Sequence, residues 1–250
     1  MGVSIGTAGW SIPTAFAGDF PADGSHLERY AQVFPAVEIN SSFHRPHRRT
    51  TYERWAASVP RGFRFSVKIP KTISHTARLV DCANRVDAFL AEAGGLGDKL
   101  DVLLLQLPPS FAYDEATVAG FLKGFRRRLS SAVRIACEPR HVSWSAAEAD
   151  ACLAEHRVAR VAADPVLVPG GERLAGWDGF AYHRLHGAPR IYHSAYGAPR
   201  LEALAESLRD GAWCIFDNTG SGAATGNALT VRDMVPHRQR RRGITPRTGS

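Results

Sequence analysis

The densest reactive segment of the chain is Glu138-Pro139-Arg140-His141, which sets a carboxylate, a guanidinium and an imidazole within four residues. A carboxylate and an imidazole held together can share proton transfer, and a neighbouring guanidinium binds an anion. Ser143, two residues further on, is placed to cap the next helical turn. A second segment, Arg184-Leu185-His186-Gly187, ends in a glycine that permits a tight turn and so presents His186 at a strand end. Tyr192, five residues later, is expected to overhang the same place from a loop. Thr72-Ile73-Ser74-His75 follows Lys68, and Asn40-Ser41-Ser42-Phe43-His44 repeats the theme of polar residues and a histidine after an apolar run. The last such stretch, Asp217-Asn218-Thr219-Gly220-Ser221-Gly222, leads into a helix, where free backbone N–H groups would suit a phosphate.

His44, His75, His141, His186, Glu138 and Asp164 together offer donors for a metal ion. None stands in HxH or HExxH spacing, so the metal question stays open and no cofactor is expected. Cys82, Cys137, Cys152 and Cys214 are scattered without CxxC spacing, which argues against a zinc ribbon or a disulfide framework.

These groups need elements to hold them. β-like runs lie near 3–9, 36–41, 64–69, 102–107, 133–138, 159–164, 181–186 and 213–218. They recur at about the ~30-residue spacing of a βαβ unit. Helical patterns fall between them, at 26–34, 50–58, 79–93, 115–129, 145–156 and 199–210. Eight strands alternating with helices predict a single-domain α/β fold, a (β/α)8 TIM barrel over residues 1–235. A doubly wound open sheet is the alternative. The stretch 165–179 is rich in Gly and Pro and carries no helical pattern, so the barrel is expected to be irregular.

Alternate residues of a barrel strand face inward. That parity assigns Glu38 and Asn40, Arg64, Ser66 and Lys68, Gln106, Glu138, Asp164, Arg184 with His186, and Asn218 to the interior. Polar groups are costly to bury unless paired or solvated. Collected at the C-terminal strand ends, they mark the place where barrel enzymes do their chemistry. Cross-pairing that merely plugs the barrel is the structural alternative.

Composition bounds the function. The formal charge of +7 is carried largely by Arg238, Arg240, Arg241, Arg242 and Arg247; without those five the rest of the chain carries +2. Residues 236–250 read as a basic, disordered tail able to touch nucleic acid or anionic lipid, or simply to solubilise the end. No apolar run approaches the ~18 residues of a membrane span, and no signal-like segment precedes the first strand, which favours the cytoplasm.

The order of short motifs is similar to that of the YecE-like family, domain-of-unknown-function family 72. The resemblance runs through Gly6-Thr7-Ala8-Gly9-Trp10, Glu38-Ile39-Asn40, Lys68, Ser74-His75, Gln106-Leu107-Pro108-Pro109, Glu138-Pro139-Arg140-His141, Arg184-Leu185-His186-Gly187, Asp217-Asn218 and Asn227-Ala228. It implies a TIM barrel and supplies no activity. This chain departs from the family pattern at Ser42-Phe43-His44, where Thr-Phe-Tyr is usual, and at Phe216-Asp217-Asn218, where Phe-Asn-Asn is usual. The first departure removes a tyrosine hydroxyl and the second alters the charge near the last strand.

The expectation is therefore an enzyme doing acid–base chemistry on a small anionic ligand. Lys68, Arg140 and Arg184 would hold the anion, and Glu138, His186 and His75 are the catalytic candidates. Glu38, Asn40, Gln106, His141, Asp164, Tyr192 and Asn218 complete the binding set. The alternative is a nucleic-acid-binding or -processing protein that uses the mouth and the basic tail.

Overall fold

The computed structural model describes residues 2–166 and 168–242, with side chains through Val235. Ten strands and seven α-helices follow one another along the described chain, alternating except across β6 to β9: β1 (Ser4–Thr7), α1 (His26–Ala31), β2 (Ala36–Ile39), α2 (Arg49–Ala57), β3 (Arg64–Lys68), α3 (Ala83–Ala93), β4 (Leu100–Gln106), α4 (Glu115–Arg126), β5 (Arg134–Glu138), α5 (Ala147–Glu155), β6 (Val158–Arg160), β7 (Ala162–Asp164), β8 (Ala175–Gly176), β9 (Tyr182–Leu185), α6 (Ala198–Ser207), β10 (Trp213–Phe216) and α7 (Ala223–Arg242). Local signals explain several boundaries. A capping box of Ser25 and Glu28 opens α1, and the Asp114 carboxylate accepts from the Thr117 N–H at the start of α4. α3 begins at Ala83 rather than at 79, because Arg78, Leu79 and Asp81 all hold positive φ, which no helix accommodates.

The strands form two parallel arcs, β1–β10–β9–β7 and β2–β3–β4–β5–β6, and the short β8 pairs antiparallel with β6. The arcs meet at two seams. At one, Ala8 bridges Glu38 and the Gly9 N–H donates to the Glu38 carbonyl at 2.8 Å. The Tyr30 hydroxyl fills the gap below, accepting from the Thr7 N–H at 2.8 Å and donating to the Ala36 carbonyl at 3.2 Å. Gly6 is needed here, since a Cβ would stand 2.1 Å from the Ala36 oxygen. At the other seam the sixth strand changes partners: 158–160 pair with β5 and 162–164 with β9. The single run expected at 159–164 is thus split at Val161, which lets one strand serve both arcs. The fold is α/β and TIM-barrel-like, with helices outside and strands inside.

Parity separates two cores. Side chains such as Ile39, Phe65, Val67, Leu103, Leu105, Ile135, Cys137 and Phe216 pack outward against the helices. Ala36, Val102, Leu104, Ala136, Ala159, Val161, Tyr182, Trp213 and Ile215 fill the interior. Tyr182 and Trp213 stack there, with ring centroids 5.8 Å apart. A strand buried on both faces reads as a continuous apolar run, which is why Leu103-Leu104-Leu105 shows no alternation.

Among the described residues of 165–179 there is no helix, as expected, but β8 there covers an edge of β6. The expected domain boundary at 236 falls inside α7, which runs to Arg242; Arg and Gln are good helix formers. Residues 243–250 lie outside the described residues, as do the side chains of the basic segment from 236 onward. Among the described residues no helix is long and apolar enough to cross a membrane.

Candidate active site at the barrel mouth

Arg184 is the hub. Its position on β9 continues the inward row Phe180 and Tyr182, and its side chain is fully buried. The guanidinium grips Glu38 with two bonds, Nε to Oε2 at 3.0 Å and Nη2 to Oε1 at 2.7 Å. It also donates to Glu138 Oε2 at 2.6 Å and to Asp217 Oδ2 at 3.0 Å. Only arginine offers a planar fork able to serve three carboxylates at once. The Tyr182 hydroxyl donates to Glu38 Oε2 at 2.9 Å from the layer beneath, and lies 2.9 Å from Ser66 Oγ. Burial, with the Glu38 charge adding to it, pushes this phenol well above its ordinary range, so it remains a donor.

His186 stands between two carboxylates: Nε2 lies 3.1 Å from Glu138 Oε1 and Nδ1 lies 3.1 Å from Asp217 Oδ2. Burial opposes its charge, yet Glu138 and Asp217 outweigh it and raise the imidazolium above its ordinary value. Glu138 accepts on both oxygens, from Arg184, from His186 and from Arg140 Nε and Nη2 at 3.0 and 2.8 Å. Burial alone would raise its pKa; the Arg184, His186 and Arg140 charges override that and hold it well below the carboxylate range. Asp217 is lowered in the same way, burial being outweighed by Arg184 and His186.

A stability prediction follows from these signs. The imidazolium of His186 is favoured by folding, so its contribution is complete below pH 6.5 and is lost as pH rises through its raised value. Lys68 acts oppositely: its folded pKa is depressed, so the cost of burying its charge is relieved only as pH rises above about 8. Glu138 and Asp217 contribute above their ordinary values of 4.5 and 3.8 and lose that contribution on acidification. Urea unfolding should therefore show stability falling as pH rises from 6.5 toward 8, and His186→Gln should flatten that limb.

Above this platform lie groups with free functional atoms. Lys68, at the end of β3, is only 6% exposed. Its Nζ rests 4.2 Å above the centre of the Phe43 ring and makes no hydrogen bond or ion pair among the described residues. An ammonium over an aromatic face is attracted by the ring quadrupole. Burial brings this amine down to about 8, with Arg184 adding to the effect and Glu38, Glu138 and Asp217 opposing it. His75 packs edge-on against the same Phe43 ring, with centroids 4.9 Å apart, and its Nδ1 lies 2.9 Å from Ser74 Oγ. Burial first, then the charges of Lys68 and Arg140, lower its pKa and favour the neutral imidazole, whose Nε2 has no hydrogen-bond partner among the described residues.

Arg140 passes from Glu138 to the Tyr192 hydroxyl, at 3.3 and 3.4 Å from Nη1 and Nη2. Tyr192 overhangs the mouth as expected, edge-on to His186 at 5.7 Å, and holds a positive φ of 68°. Such left-handed backbone in a bulky residue persists only where its surroundings impose it. Here the Tyr192 N–H donates to the His186 carbonyl and its own carbonyl accepts from the Gly220 N–H. Gln106 follows the inward row Val102 and Leu104, and Asn40 Oδ1 is buried without a partner among the described residues.

Several expected members stand elsewhere. Asp164 leaves the barrel interior, because Ala159 and Val161 set the inward parity and place residue 164 on the outer face. There it accepts from Arg200 of α6 at 2.8 and 2.6 Å and from the Tyr196 hydroxyl at 3.0 Å. Asn218 is likewise on the outer parity: its Nδ2 donates to the Ser194 carbonyl and to Asn227 Oδ1, both at 2.9 Å. Asn227 also bonds the Tyr196 backbone, so this pair stitches the loop that carries Tyr192 to α7. His141 turns back to Ser143, with Nδ1 2.8 Å from its Oγ, and caps the turn that follows. In the Gly-rich loop the N–H groups of Gly220, Gly222 and Ala224 are already taken by the carbonyls of Tyr192, Thr219 and Asn218. Among the described residues no three His, Cys, Asp or Glu side chains are grouped as metal ligands.

Sequence reasoning missed Asp217, Tyr182 and Phe43 as members of the site. Counting inward in twos from Trp213 and Ile215 reaches Asp217, so that signal was available.

The model of the family described as protein of unknown function DUF72 matches residues 4–249. The chain is 36% identical over 85 residues to UPF0759 protein YecE of Escherichia coli K12, a match covering 34% of this chain and 31% of that protein. It is 26% identical over 148 residues to UPF0759 protein YunF of Bacillus subtilis, covering 57% of this chain and 52% of the relative. The aligned parts thus span about a third and about half of those proteins. Two crystal structures of DUF72 family proteins share the fold. One, from Enterococcus faecalis, has a TM-score of 0.79 at 21% identity over 94% of this chain and 95% of that one. The other, from Thermotoga maritima, has a TM-score of 0.77 at 24% identity over 94% and 100%. With that family model matching nearly the whole chain and the fold shared with its solved members, the chain belongs to the DUF72 family.

Proposed function

We propose that the protein is an enzyme doing acid–base chemistry on a small phosphate- or carboxylate-bearing substrate at the C-terminal mouth of the barrel. The observation that carries this reading is the unpaired amine of Lys68. Three buried carboxylates, Glu38, Glu138 and Asp217, are all engaged by Arg184, Arg140 and His186, and Lys68 above them has no ion-pair partner among the described residues. A buried ammonium whose neighbouring carboxylates are already taken attracts an anion, because the field there is weakly screened.

In this reading Arg140 and Lys68 hold the anionic group, while Gln106 and Asn40 orient the remainder. His75, neutral and open at Nε2, carries the proton. Glu138 and His186, whose hydrogen-bonding atoms are already engaged, act on the substrate through Arg140 and are positioning residues.

Calorimetric titration with inorganic phosphate and with malonate tests the reading. Loss of a charge-assisted hydrogen bond costs about 1.5–3 kcal/mol. Lys68→Met and Arg140→Met should therefore each weaken binding by roughly ten- to a hundredfold. Asp164→Asn, on the outer face, should leave it unchanged. Absence of saturable binding, or equal affinity in all three variants, would overturn the proposal.

A further inference from the structure

We propose that Lys68 is a carbonyl-capturing amine, whose Nζ bonds the aldehyde or ketone carbon of a short substrate while Arg140 holds that substrate's carboxylate or phosphate. The inference rests on the anion-binding reading above and adds a substrate class to it.

The argument begins with which cations this chain uses. Of its 31 lysines and arginines only four are lysines, at 68, 71, 99 and 123. Lys71 and Lys123 are exposed. Lys99 has a structural task, donating to the Ala56 and Val59 carbonyls at 2.6 Å each. Lys68 is buried, and among the described residues no carbonyl or carboxylate takes its protons. For holding an anion arginine is the better tool, since its fork matches an oxyanion with two bonds. What lysine alone offers is a lone pair, and that lone pair is available only once the ammonium sheds a proton.

The surroundings favour that loss. Arg184 occupies the three nearby carboxylates, so no ion pair locks the ammonium in place. The Phe43 ring beneath Nζ is apolar and donates nothing. Burial leaves the amine near 8, where an appreciable fraction is neutral under ordinary conditions. The base is His75, on the same Phe43 ring with a free ring nitrogen.

The step balances without an outside reagent. His75 takes one proton from the Lys68 ammonium. The Nζ lone pair then forms the C–N bond, and the carbonyl π pair moves to oxygen, which collects a proton from the new N–H to give a carbinolamine. His75 returns its proton to that hydroxyl, the C–O bond breaks, and water leaves. The product is a protonated C=N bond, so one ammonium and one carbonyl have become one iminium and one water. Arg140, gripped by Glu138, keeps the anionic end in register.

The test is reductive trapping on the full chain. The protein is incubated at pH 8 with pyruvate or with glyceraldehyde 3-phosphate plus sodium cyanoborohydride, then analysed by intact mass and peptide mapping. The expected result is one adduct per chain at Lys68, at least tenfold above the exposed references Lys71 and Lys123, and suppressed by inorganic phosphate. Pyruvate and the phosphorylated aldehyde compared side by side separate a carboxylate-bearing from a phosphate-bearing substrate. Lys68→Arg should bind phosphate within severalfold of the parent and give no adduct at position 68. Labelling spread evenly over the lysines overturns the proposal even if the variant fails to fold. Lys68-dependent phosphate binding with no adduct overturns the covalent step and spares the anion site; absence of both removes both readings.

Discussion

Arg184→Met is expected to produce the largest loss of stability of any single change at the mouth. The substitution removes one cation from the centre of three carboxylates, Glu38, Glu138 and Asp217, whose side chains are between 0% and 5% exposed. Breaking a buried ion pair by deleting one partner costs about 3–5 kcal/mol, mostly because the stranded charge stays in low dielectric. In a chain of this size each kcal/mol shifts the melting temperature by about 2–4 °C. A fall of roughly 6–20 °C is expected in thermal unfolding followed by circular dichroism. Adding Glu38→Gln and Asp217→Asn to the same chain should recover part of the loss by neutralising what was stranded. A shift below about 2 °C would mean that Arg184 does not bind the barrel together.

The second large effect is expected from Glu138→Gln, which preserves shape and removes charge. Four donors converge on this carboxylate, from Arg140, Arg184 and His186. Charged hydrogen bonds of this kind are each worth about 1.5–3 kcal/mol, and the amide that replaces them accepts on one atom only. Two readouts separate positioning from proton transfer. His186 should titrate at lower pH by NMR, because Glu138 is the leading influence holding it charged. Phosphate affinity should also fall, since Arg140 loses its clamp, and Glu138→Gln with Arg140→Met should bind no more weakly than Arg140→Met alone. An unmoved His186 titration, or fully additive losses, would show that Glu138 does not act through these neighbours.

Much of this architecture was legible beforehand because barrel strands obey a period of two. Glu38, Lys68, Gln106, Glu138, Arg184 and His186 fall on the inward parity that sequence alternation assigns, and the structure brings them to one end of the barrel. The recurrence of strand and helix patterns likewise led to the TIM-barrel fold. The errors have a common cause. Asp164 and Asn218 are polar and end their strands, which suggests an inward direction, although the apolar neighbours Val161 and Ile215 set the opposite parity. Polarity alone does not give direction: the outer layer also buries polar groups where a loop has to be tied, as Asn218 and Asn227 tie the 187–197 segment. The split of the sixth strand at Val161 was not legible, because a change of partner leaves no trace in a strand's own composition.

By itself, then, the sequence determined which residues point into the barrel and that their charges are mixed, since both follow from local periodicity and side-chain type. Only the tertiary structure decided which of those charges are already satisfied. Positions 184 and 217 lie at the ends of neighbouring strands, whereas 38 and 138 reach Arg184 only because the two arcs face each other, and that meeting changes their chemistry. Glu138 and His186, the obvious proton carriers in the linear chain, become a saturated platform, and Lys68 is left as the unpaired amine above it. Pairing depends on distances between strands, which local patterning does not encode, so the side chains already engaged could be told from the unpaired ones only in the assembled fold.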